Sequence, residues 1–63
     1  MDKLLLKVDE AAELLGLSER KLYQLLLRAE VESVQIGKSR RVPKAALVEY
    51  VERLRQEHRD DAA

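Results

Sequence analysis

The chain contains no cysteine, which removes both a disulfide framework and a thiolate metal site. Tryptophan and phenylalanine are missing and tyrosine occurs twice, so any core must be aliphatic. A single histidine, His58, has no cysteine or carboxylate partner at ligand spacing, which argues against a metal centre. No Gly-rich loop able to cradle phosphate is present, and the acidic residues fall on expected helix surfaces, so neither an enzyme nor a cofactor is expected. The opening MDKLLLKVD is too short and too charged for a signal peptide or a membrane span. Net charge of either sign is absent as well, with twelve basic and twelve acidic residues among 63. What remains is one small aliphatic-cored domain near the lower size limit for unaided folding, expected to be soluble and cytoplasmic.

A net charge of zero argues, at face value, against a nucleic-acid partner. Its distribution argues the opposite. Residues 1–17 carry two basic and four acidic groups, and residues 45–63 carry three and five, a net of −2 in each case. Residues 18–44 carry seven basic and three acidic groups, a net of +4. Local field governs docking on phosphate more than the total does.

Along the chain, Leu4–Leu6 is long enough for a short strand and too short for a helix. A first helix is placed at about Val8–Leu15, with Ala11, Ala12, Leu14 and Leu15 on its apolar side. Asp9, Glu10 and Glu13 lie in or near its first turn, where negative charge suits the helix dipole, and Lys7 stands where a capping side chain is preferred. Gly16 can supply the left-handed backbone that ends this helix, and Ser18 can cap the next. The second helix is placed at about Glu19–Ala29, with neither Gly nor Pro in Ala29-Glu30-Val31-Glu32 to stop it sooner. Small Ala12 permits a close crossing, and Leu17, Leu22 and Leu25 lock the two helices together. That is the logic of a helix-turn-helix, whose second helix projects outward.

At roughly 100° per residue, Leu22, Leu25, Leu26 and Ala29 share one side of the second helix. Arg20, Gln24 and Leu27 point the opposite way, flanked by Lys21, Tyr23 and Arg28. Arg and Gln make bidentate contacts to guanine and adenine edges, so an outward pair one turn apart suits the major groove of DNA. Leu27 is the odd member of that face. It could touch a thymine methyl, pack on a loop or meet a neighbouring protein.

Val31–Pro43 reads as a β-hairpin of about four residues per arm, turning at Gly37-Lys38-Ser39-Arg40. Lys38, Arg40 and Arg41 crowd its tip beside the Ser39 hydroxyl, which suits phosphate contacts or a reach into the minor groove. Pro43 leads into a last helix, on which Leu47, Tyr50, Val51 and Leu54 form an apolar stripe. Residues 1–58 are expected to form the domain, and residues 59–63 a disordered tail.

The strings LLKVDEAAELLGLSERKLYQLL and SVQIGKSRRVPKAALVEYVERL resemble the excisionase-type, MerR-like winged helix-turn-helix domains. EAAELLGLS, Tyr23 after the reading positions, and IGKSRRVP before a helix are the most specific pieces. The resemblance implies a mainly α fold: short strand, helix, turn, recognition helix, β-hairpin wing and C-terminal helix. It also implies sequence-directed DNA binding. Ser18, Arg20, Lys21, Tyr23, Gln24 and Arg28 then fall on the recognition helix, and Lys38, Ser39, Arg40 and Arg41 on the wing. As an excisionase, the protein is expected to bind and bend attachment-site DNA, assist an integrase or recombinase, and associate cooperatively with itself on DNA. Two other readings stand beside it. One is a small transcriptional regulator, although nothing beyond Leu54 is long enough for a dimerising coiled coil. The other is a protein-interaction module without DNA binding.

Overall fold

The helix placed at Val8–Leu15 occupies those residues in the computed structural model, which describes residues 3–62, with side chains described through Arg59. The order is β1 (Leu5–Leu6), α1 (Val8–Leu15), α2 (Glu19–Leu27), β2 (Val34–Ile36), β3 (Ser39–Pro43) and α3 (Lys44–Ala62). This is a winged helix-turn-helix. Residues 1, 2 and 63 lie outside the described residues; Arg59, expected at the start of a tail, lies within α3.

The turn between α1 and α2 works through its backbone. Gly16 adopts φ +73°, its N–H donates to the Glu13 carbonyl at 3.1 Å, and the Leu17 N–H donates to the Ala12 carbonyl at 2.9 Å. This pair of bonds closes the helix in a Schellman motif. Two residues on, the Ser18 hydroxyl accepts from the Lys21 N–H at 3.1 Å and caps α2. At the start of α1, Glu10 does what Lys7 cannot: its carboxylate accepts from the Lys7 N–H at 2.9 Å and pairs with Lys3 Nζ at 2.7 Å.

The far end of α2 differs from expectation. The helix stops at Leu27 because Ala29 turns left-handed, with φ 58°. The Ala29 N–H donates to the Leu26 carbonyl at 3.1 Å and the Glu30 N–H to the Leu25 carbonyl at 2.9 Å, repeating the Gly16 arrangement without a glycine. Neighbouring groups impose a conformation that alanine alone disfavours. Val31, placed just after it, is 1% exposed, and burying it compensates for the strained corner. Arg53 of α3 donates to the Glu30 carbonyl and lies over the Tyr50 ring, 5.9 Å from its centroid, tying the same corner to the last helix.

The three strands form an antiparallel sheet in the order β1-β3-β2, with Leu6 opposite Val42 and Val34 opposite Arg41. The wing turn is tighter than expected. Only Gly37 and Lys38 lie between the arms, because Ile36 pairs with Ser39 and Gln35 with Arg40. Gly37 takes φ +60° at the first turn position, as a two-residue hairpin turn of the II′ kind requires.

The core lies between this sheet and the helices. Val8, Ala11 and Ala12 of α1, Leu22, Leu25 and Leu26 of α2, and Ala46 and Leu47 of α3 close over Leu6, Val31 and Val42. Leu14 is not among them. It is 63% exposed, since it sits about 100° around the helix from the Val8–Ala11–Leu15 stripe. Val51 is also exposed, at the edge of a stripe centred on Leu47, Tyr50 and Leu54. Leu14, Val48 and Val51 instead line an open apolar groove between α1 and α3.

The two left-handed corners both favour glycine, so reverse exchanges at them should have opposite effects. Ala29→Gly should raise stability by about 1 kcal/mol by relieving the backbone. Gly16→Ala should lower it by about 1 kcal/mol, since an added Cβ meets nothing within 4 Å and only the backbone objects. Urea unfolding midpoints check both. Separately, the Lys3 ammonium and then the Lys7 N–H hold the Glu10 carboxyl below its ordinary range. The folded state therefore takes up that proton less readily than the unfolded chain. This contribution is complete above the ordinary carboxylate range and is lost as pH falls through the lowered value. Lys3→Ala should move the Glu10 titration upward, read by carboxyl carbon NMR.

Candidate nucleic-acid interface

The residues on the outer side of α2 are exposed because its inner side is so completely used. Leu22 and Leu25 are 0% and 3% exposed, which fixes the rotation of the helix and turns Arg20, Lys21 and Gln24 to solvent. None of those three side chains has a hydrogen-bond or ion-pair partner among the described residues. Ser18 is exposed too, and although its oxygen accepts the capping bond, its O–H still has a proton to donate. Arg28 stands at the end of the helix, where it makes only a loose pair with Glu30 at 3.9 Å.

Tyr23 takes a different position. Together with Glu19 it faces the wing across an open cleft of about 550 Å³ whose other walls are Lys38, Ser39, Arg40 and Arg41 and the start of α1 at Lys7, Val8 and Asp9. The fold thus brings one recognition-helix residue, Tyr23, together with all four expected wing residues. Ser18, Arg20, Lys21, Gln24 and Arg28 remain outside this cleft, on the exposed surface of α2.

The wing cations are not equivalent. Arg40 lies back along its own hairpin, donating to Ser33 Oγ at 2.9 Å and to Gln35 Oε1 at 3.5 Å. Arg41 is half-buried and donates to the Arg40 carbonyl at 3.0 Å. Lys38, at the turn, has no partner among the described residues. Four cations of the cleft, Lys7, Lys38, Arg40 and Arg41, face two carboxylates, Asp9 and Glu19, so its field is positive.

Lys7 was missed as a member of this surface. In the sequence it stands before a helix and reads only as a poor cap. The β1–β3 pairing changes its meaning, because extending the register of Leu5 with Pro43 and Leu6 with Val42 by one residue sets Lys7 beside Arg41. A basic residue one step past a short apolar run was the signal available. Among the described residues no group of three or more His, Cys, Asp or Glu side chains is placed to hold a metal ion, and no helix is long and apolar enough to cross a membrane.

This architecture agrees with comparison to known proteins. A family described as "Helix-turn-helix domain" matches residues 5–55, from β1 into α3, and the chain belongs to that family. The chain is also similar to a probable excisionase of Saccharopolyspora erythraea, with 47% identity over 53 residues. The alignment covers 84% of this chain and 54% of that protein, so the chain spans about half the length of the curated relative it matches. No solved structure matches.

If the cleft field acts on phosphate, Lys7→Ala should weaken binding to duplex DNA of any sequence and reduce the slope of log K against log salt by about one. Fluorescence anisotropy at a series of salt concentrations checks this.

Proposed function

We propose that this protein is an excisionase that binds duplex DNA selectively, with α2 in the major groove and the β2–β3 wing on the flanking backbone or minor groove. The observation that carries the reading is the pairing of two exposed surfaces on one domain. One is a helix on which Arg20, Lys21 and Gln24 have no partner among the described residues, and the other is a basic wing across a cleft from Tyr23. The name of the relative supports the biological role.

In this docking, Arg20 and Gln24 read base edges, which bidentate geometry permits for guanine and adenine respectively. Ser18, Lys21, Tyr23 and Arg28 hold the helix in register through phosphate oxygens, as do Lys38, Ser39, Arg40 and Arg41 on the wing. The neutral total charge suits an accessory protein whose positive field is confined to one surface. Such a protein carries out no chemistry. It binds adjacent sites in the attachment DNA, bends it, and presents it to an integrase in the cytoplasm. Cooperative self-association along the DNA follows from tandem sites.

Two sets of substitutions separate reading from holding. Arg20→Ala and Gln24→Ala should each relax base preference at one position, at a cost of about 1–3 kcal/mol against the preferred base. Lys38→Ala and Arg41→Ala should weaken binding to all sequences alike, with the salt slope falling by about one for each lost phosphate contact. Base preference that followed the wing substitutions and ignored those on α2 would invert the assignment. A gel-shift titration distinguishes the roles. An excisionase gives a ladder of bent complexes on tandem sites, and a dimeric regulator saturates as one complex on an inverted repeat. Failure to bind at low salt leaves only a protein-interaction module.

A further inference from the structure

Leu27 is 86% exposed, more than any other large apolar side chain among the described residues. It ends α2 on the side away from Leu22, Leu25 and Leu26, so it adds nothing to the core. That exposure also means that no loop covers it. Its place on the helix is specific. At roughly 100° per residue it lies about 20° from Arg20 and about 60° from Gln24, on the same outward strip. At about 1.5 Å per residue it stands about 4.5 Å beyond Gln24 and about 10.5 Å beyond Arg20. The strip therefore presents a guanidinium, a carboxamide and an isobutyl group in sequence.

We propose that Leu27 is a third reading residue, selecting thymine by packing on its 5-methyl group in the major groove. This rests on the docking of α2 proposed above and extends it to a ligand group. Thymine is the one base that displays a methyl group in that groove, and an apolar side chain is its complement. The spacing fits a readout across successive pairs. A helix in the major groove lies oblique to the base stack, so about 10.5 Å of helix axis spans fewer than about three base steps, and the selected thymine lies within about three pairs of the base read by Arg20. Leucine suits this task because it has no polar group to satisfy there, and any neighbouring base without the methyl leaves its surface in water.

The test removes the methyl group from the DNA and the side chain from the protein in one cycle. The probe is the tightest duplex recovered by the wild-type protein from a randomised pool, with each thymine replaced in turn by deoxyuridine. At one thymine, loss of the methyl should weaken wild-type binding about fourfold, the effect of one methyl group removed from water. The same replacement should leave Leu27→Ala unaffected, while Arg20→Ala keeps the full methyl dependence. Circular dichroism and an unfolding midpoint check that Leu27→Ala folds, as an exposed helix-end position predicts. If every thymine tolerates the replacement, or the methyl effect persists in Leu27→Ala, the assignment is overturned while the DNA-binding reading stands. If Leu27→Ala abolishes the ladder of complexes on tandem sites and shows no coupling to any methyl, Leu27 is a contact between copies and the proposal fails. Absence of any enriched duplex overturns the DNA reading and this inference together.

Discussion

The orientation of α2 rests on two left-handed corners, Gly16 before it and Ala29 after it. Each closes a helix through the same pair of backbone bonds, and each is followed within two residues by an apolar side chain turned toward the core: Leu17 after the first, Val31 after the second. The nine residues of α2 lie between these corners, held at both ends and along one side, which fixes the rotation of their outward strip. That fixed rotation keeps Arg20, Gln24 and Leu27 on the exposed side of the helix. A turn of about 100° would bring a core leucine toward solvent in their place.

The sheet is small, but it decides how the domain is assembled. β3 lies between two partners, so the wing and the N-terminal strand share one element, and α3 starts immediately after it. The Lys44 N–H donates to the Leu4 carbonyl at 2.8 Å, which joins the entry of α3 to the beginning of the chain. Val42, with no exposed surface, anchors this centre while the distal end of the same strand carries Ser39 and Arg40 into solvent. One strand thus serves as core at one end and as exposed surface at the other. The cleft between α2 and the wing is lined by more cations than carboxylates.

Much of this was legible from residue types with strong local rules. Gly16 and Ser18 marked the turn, the leucine spacing marked the buried side of α2, and Gly37-Lys38-Ser39-Arg40 marked the wing, though its turn takes only the first two of those residues. In the fold, local signals failed where a tertiary contact overrode them. Nothing in Ala29-Glu30-Val31-Glu32 advertises a left-handed alanine; burial of Val31 and the Arg53 contact at Glu30 hold it there. Leu14 and Val51 look like core by composition, but their angles put them at the edges of their helices, where they line a groove. Among the candidate site residues, the types on α2 and the wing could be read from the chain, whereas the separation of Tyr23 from Arg20 and Gln24 could not.

By itself, then, the sequence determined the class of fold, the residues facing outward on the second helix, and the concentration of positive charge between residues 18 and 44. Periodicity and capping act over a few residues, so they can be read in one dimension. Only the tertiary structure decided that Arg40 lies along its own hairpin, that Lys7 joins the wing, and that α2 stops at Leu27. Those outcomes depend on strand register and on burial at sites distant in the chain, energies that exist only once the pieces have met.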